Sequence, residues 1–182
     1  MIYKKYFDNY KASIGALLDS VDPSLIEKSV LLIKDKIINK HRIFIVGNGG
    51  SSSIASHVSV DFAKVANVPS STFNNSNLIT CFANDYGYEN WVKESIKSYA
   101  SKDDLLILIS SSGKSMNIVN AAQYCKDQKI DLITLSGFKN TNPLNQMGNI
   151  NFHVNSEDYN FIEMTHHIIL VSIVDIFAKK LD

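Results

Sequence analysis

Two short segments concentrate glycine and serine, Gly47-Asn48-Gly49-Gly50-Ser51-Ser52-Ser53 and Ser110-Ser111-Ser112-Gly113-Lys114-Ser115. Glycine lets the backbone approach an anion closely, and serine hydroxyls with successive backbone N–H groups supply donors that complement a phosphate. Each segment follows an apolar run ending where a strand would end, the place where open parallel sheets bind ligands against helix N-termini. One such loop is an ordinary turn. Two point to a phosphorylated small molecule. Lys114 either adds a positive charge beside that phosphate or is a solvated loop lysine. Nucleotide signatures do not fit: the third glycine position of G-x-G-x-x-G holds Ser52, and the first glycine of G-x-x-x-x-G-K-S falls at Leu108, inside an apolar run. No nucleotide cofactor is expected.

His57 and Asp61 lie four apart on the segment after the first loop, so a helix there puts them on one face. Beside that loop they read as ligand, acid/base or metal groups; the alternative is a structural histidine. Glu163, His166 and His167 open an otherwise apolar C-terminal helix, where charge buried without purpose is costly; the alternative is a solvated helix start with Glu163 near the positive dipole end. Asn84-Asp85-Tyr86-Gly87 reads either as a sugar-lining cluster or as a turn.

The elements that must hold these residues follow from periodicity. Tyr3, Tyr6, Tyr10, Ile14 and Leu17 recur at helical spacing. Asp22-Pro23 supplies an N-cap and an N1 proline for a second helix with Ile26, Val30, Ile33 and Ile37 on one stripe. From Arg42 the runs RIFIVG, DLLILIS and DLITLSG are unbroken, as in strands buried on both faces, and helical patterns lie between them. Ile150 to Val154 reads as a further strand and Ser70 to Asn74 as a weaker one. Strand alternating with helix predicts an α/β fold with a parallel sheet. The helix from about Tyr159 to Lys180 is apolar on nearly every side from Ile168 onward, which predicts cover by another subunit.

Composition bounds the partners. The chain has 182 residues, with 18 Lys+Arg against 18 Asp+Glu and a formal net charge of +0. That balance suits one domain and lacks the basic excess that nucleic acid or an anionic membrane demands. Cys81 and Cys125 are far apart in sequence, which argues against a disulfide framework. The N-terminal segment mixes charge with aromatics, unlike a signal peptide, and Ser172 and Asp175 interrupt the most apolar stretch short of the ~20 residues that span a bilayer. A cytoplasmic setting is expected.

Taken together, V-G-N-G-G-S-x5-H-x3-D, A-N-D-Y-G and I-S-S-S-G-x-S resemble the sugar isomerase (SIS) domain family, most closely its phosphoheptose isomerase branch. The resemblance spans nearly the whole chain. It implies a three-layer sandwich with a five-stranded parallel sheet between helices and a homotetramer with active sites at subunit interfaces. The chain would be a single domain over 1–182: a helical hairpin at 1–40 used in oligomer packing, then an α/β core at 41–182 ending in an interface helix. The implied reaction converts sedoheptulose 7-phosphate to D-glycero-D-manno-heptose 7-phosphate for bacterial surface polysaccharide; a non-catalytic phosphosugar-binding or protein-binding regulator is the alternative.

By position, the resemblance assigns substrate binding to Asn48, Gly49, Gly50, Ser51, Asn84 and Asp85, and phosphate binding to Ser110, Ser111, Ser112 and Ser115. It assigns catalysis to Asp61, Glu163 and His166. Zinc or another divalent metal would fall to His57, Asp61 and Glu163. Asp61 stands where the family has Glu, Glu163 where it has Gln, and Val171 where it has a catalytic His. Asp61 and Glu163 are then the candidate proton carriers, with His166 or His167 as substitutes. Carboxylates brought together favour either a divalent cation or a shared proton.

Overall fold

A computed structural model of the chain describes residues 1–181. It contains five strands, β1 (Ile43–Gly47), β2 (Ser70–Ser71), β3 (Leu105–Ser110), β4 (Asp131–Ser136) and β5 (Ile150–His153). Seven helices accompany them: α1 (Ile2–Asp19), α2 (Pro23–Ile38), α3 (Gly50–Lys64), α4 (Ser76–Tyr86), α5 (Trp91–Tyr99), α6 (Met116–Gln128) and α7 (Tyr159–Ala178). All strand pairs are parallel, in the order β2-β1-β3-β4-β5. The expected α/β sandwich with a five-stranded parallel sheet is therefore the observed fold, and the weak strand at Ser70 shrinks to two residues at the sheet edge.

Alternating side chains of the central strands feed two cores, one on each face. Ile43, Ile45, Ile107, Ile109, Ile133 and Leu135 pack with α2, α3 and α7. Phe44, Val46, Leu106, Leu108 and Leu132 pack with α5 and α6. Burial on both faces is why the sequence shows these strands as unbroken apolar runs. Asp104 ties β1 to β3 at their start: it accepts from the Arg42 N–H at 2.8 Å, the Ser101 N–H at 2.8 Å and the Arg42 guanidinium at 3.0 Å. Burial pushes its pKa up, but these donors outweigh burial and hold it below the usual value.

Helices α4 and α5 were not foreseen from periodicity. Each is short and lacks a long apolar stripe, and what holds α5 is the burial of Trp91, Val92 and Ile96 against the second core. Asn84-Asp85-Tyr86 closes α4, with Gly87 as its C-cap at φ 82°, so the turn-like composition marks a helix end. Helices α1 and α2 both contact α7. Within one chain α7 is not covered all round: its core face is buried, whereas Met164 and Ile168 are exposed. It is the one helix among the described residues long and apolar enough to cross a membrane, and its buried stripe of Ile162, Ile169, Leu170, Ile173 and Val174 packs in the protein core.

Candidate active site

Strand order determines where a ligand can sit. After β1 the chain moves outward to β2, then returns to place β3 on the other side of β1, so the loops after β1 and β3 leave in opposite directions. That divergence opens a crevice at the carboxyl ends of the strands. A cavity of about 240 Å³ lies there, lined by Asn48, Gly49, Gly50 and Ser51 from the first loop, by Ile109 and Ser110, Ser111, Ser112 and Ser115 around the second, and by Tyr159 and Glu163 from α7.

Local sequence shapes both walls. Gly49 is the N-cap of α3 and Ser115 of α6, and neither makes a side-chain cap bond, whereas Asp22, Asn75 and Asp158 cap α2, α4 and α7. The first N–H groups of α3 and α6 are thus left for a ligand or water. Gly113 holds φ 65°, and a Cβ there would run into Asn142, whose buried amide donates to Ser136 Oγ, Gly137 O and Lys139 O at 2.9–3.1 Å. Ser51 Oγ and Ser111 Oγ stand 3.5 Å apart and link the loops. Glu163 Oε1 accepts from Ser111 Oγ at 3.4 Å. A Cβ on Gly50 would collide with the Glu163 carboxylate, so that carboxylate rests against the first residue of α3.

Several residues that line or brace the cavity were not singled out from sequence. Asn117 and Asn48 exchange two amide hydrogen bonds of 2.9 Å, and the Tyr88 hydroxyl donates to Asn48 Oδ1 at 3.3 Å. Asn117 therefore locks the first loop to the helix that follows the second. Its signal in the sequence is a polar residue amid positions of α6 that are otherwise apolar and buried, Ile118, Ala121, Ala122 and Cys125. For Asn142 the available signal is its place before Pro143, a turn-forming pair. Nothing in the sequence marked Ile109 or Tyr159.

Other expected residues stand outside this cavity. On the exposed flank of α3, His57 Nε2 lies 3.1 Å from Asp61 Oδ2 and His57 Nδ1 lies 2.8 Å from His167 Nε2 of α7. A carboxylate only accepts, so a neutral His57 carries its proton on Nε2 and accepts at Nδ1 from the His167 N–H. Burial, then the neighbouring His57, push the His167 pKa down against the pull of Asp61. His166 is fully buried and donates from Nε2 to the Ser136 carbonyl at 3.0 Å. Asn84 donates to Asp85 at 2.9 Å at the exposed end of α4. The zinc or other divalent cation implied by the resemblance needs several donors around one point. Among the described residues no three His, Cys, Asp or Glu side chains are so grouped, and both ring nitrogens of His57 are engaged. The donors of one chain do not fit the ion.

Fold and site define a parallel α/β domain with a donor-lined crevice at its strand-order switch. A model of the SIS domain matches residues 5–137. A phosphoheptose isomerase of Helicobacter pylori is 30% identical over 189 residues, covering 98% of this chain and 97% of that protein. The structure of a phosphoheptose isomerase from Francisella tularensis superposes with a TM-score of 0.85 at 22% identity, covering 97% of this chain and 96% of the other. One from Neisseria gonorrhoeae gives 0.86 at 17% identity, covering 98% and 100%. The chain belongs to the SIS domain family.

Proposed function

We propose that the chain is a phosphosugar isomerase that interconverts sedoheptulose 7-phosphate and D-glycero-D-manno-heptose 7-phosphate, supplying heptose for bacterial surface polysaccharide in the cytoplasm. The observation that carries this is a crevice in which a single carboxylate, Glu163, stands among neutral donors from two Ser/Gly loops. Support for the substrate comes from the phosphoheptose isomerases that the chain resembles along nearly its full length.

Ser110, Ser111, Ser112 and Ser115, with the free N–H groups at the start of α6, hold the phosphate. Asn48, Gly49, Gly50 and Ser51 line the sugar end. Ketose–aldose exchange moves a proton between C1 and C2 through an enediol. Glu163 takes the proton from one carbon and returns it to the other, a second proton passes between the C1 and C2 oxygens of the enediol, and Ser51 and the N–H groups at the start of α3 donate to the oxygen that gains charge. Asp61 holds His57 in its Nε2–H tautomer. His57, Asp61, Asn84 and Asp85 meet the sugar only after assembly into a homotetramer, which the exposed Ile2, Tyr3, Tyr6 and Phe7 of α1 support. His166 has no part in the chemistry, because its ring is sealed in the core.

Incubation of the purified protein with sedoheptulose 7-phosphate in deuterated water tests this, with exchange at C1 and C2 followed by NMR. Exchange is expected, and Glu163→Gln should slow it by about 10²–10⁴-fold, the range for loss of a positioned acid/base. Absence of exchange and product overturns the assignment for this substrate.

A further inference from the structure

Among the residues lining the cavity, Glu163 is the one with a charged side chain; the remainder are Asn48, glycines, serines, Ile109 and Tyr159. No cation of this chain balances it within that lining. Its carboxylate is seated at the start of α3, against Gly50 and under the Ser111 hydroxyl. The two helix termini that open onto the cavity are therefore unequal. At α6, among the described residues, neither the first N–H groups nor Ser110, Ser112 and Ser115 meet an anionic side chain, and Ser111 alone in that loop reaches Glu163. At α3 the positive end of the helix already faces an anion of the protein's own.

We infer that Glu163 is a specificity-determining residue that restricts the site to sugars phosphorylated at one end only, with a neutral hydroxyl or carbonyl at the other. This rests on the phosphosugar reading and deepens it. A hydroxyl at the α3 end donates to the carboxylate. A second phosphate or a carboxylate at that end meets a like charge within the same cavity. Bisphosphates and sugar-acid phosphates are therefore turned away although they retain the first phosphate.

The test is direct binding by calorimetry, with sedoheptulose 7-phosphate and sedoheptulose 1,7-bisphosphate as probes. The wild-type protein should bind the monophosphate at least about 10-fold tighter, equivalent to roughly 1.4 kcal/mol. Glu163→Gln keeps the shape and removes the charge, and should reduce the ratio to less than about 3-fold. A measurement that needs no variant is the same ratio in the wild type at low and high salt, since charge repulsion weakens as salt rises. Equal binding of the two probes by the wild type overturns the inference and leaves the phosphosugar reading standing. A preference that persists in Glu163→Gln or is indifferent to salt is steric, and also overturns it. Failure to bind either probe overturns the phosphosugar reading and the inference with it.

Discussion

The His166 ring is enclosed in the core, with Nε2 on the Ser136 carbonyl and Nδ1 without a partner. Burial pushes its pKa down to about 4, the Ser136 bond opposing that shift and His153 adding to it. In the unfolded chain the same group titrates near 6.5, so between these values the unfolded state holds the extra proton and stability falls as pH falls. Its contribution is fully present above about 6.5 and is lost toward 4, up to about 3 kcal/mol for a shift of this size. Urea unfolding from pH 7.5 to 4.5 should show that decline, and His166→Gln should flatten it. Equal slopes for the two proteins refute the assignment.

At the scale of elements, the two glycines at the β1–α3 junction have separate tasks. A Cβ on Gly47 would stand 2.6–2.7 Å from Cβ, C and O of Ser51, atoms fixed by the first turn of α3. The atoms nearest a Cβ on Gly50 are those of the Glu163 carboxylate, the free end of a flexible side chain that can swing aside. Gly47→Ala should therefore destabilise the fold by about 1–3 kcal/mol, lowering Tm by roughly 2–4 °C per kcal/mol in a chain of this size. Gly50→Ala should change Tm little and still lose isomerase activity, because the carboxylate is driven from its seat. Thermal melts paired with the exchange assay separate the two, and a Gly50→Ala protein as unstable as Gly47→Ala would show that Gly50 serves the fold.

At the scale of the whole molecule, α1 buries none of its residues, and it touches α7 through Tyr10 and Phe161, ring centroids 4.7 Å apart. Its exposed Ile2, Tyr3, Tyr6 and Phe7 form an apolar surface of the kind that marks an interface. Light scattering on the wild-type protein should give the mass of four chains, and a Tyr3→Glu/Phe7→Glu variant should give a smaller species with reduced exchange activity. A wild-type monomer would remove the tetramer and, with it, the proposed route by which His57 and Asp61 reach substrate.

Much of the fold was legible because burial on both faces leaves a plain mark: β1, β3 and β4 are near-continuous apolar runs, β5 alternates apolar and polar residues, α1, α2, α3 and α6 carry stripes long enough to show a period, and α7 is apolar on nearly every side. Helices α4 and α5 left no such mark, being short and held by contacts made elsewhere. The residue types of both Ser/Gly loops and of Glu163 were determined by the sequence itself, since only glycine, serine and a carboxylate bring those backbone freedoms and those donors and acceptors. Their meeting was decided by tertiary structure. The order β2-β1-β3-β4-β5 turns two loops far apart in the chain into walls of one cavity. It takes the packing of α7 on α3 to bring His57 and His167, 110 residues apart, within 2.8 Å. The same packing sends His166 into the core and Glu163 into the cavity, because residues three apart on a helix share a flank and a small rotation about its axis decides which of them is sealed and which meets a ligand.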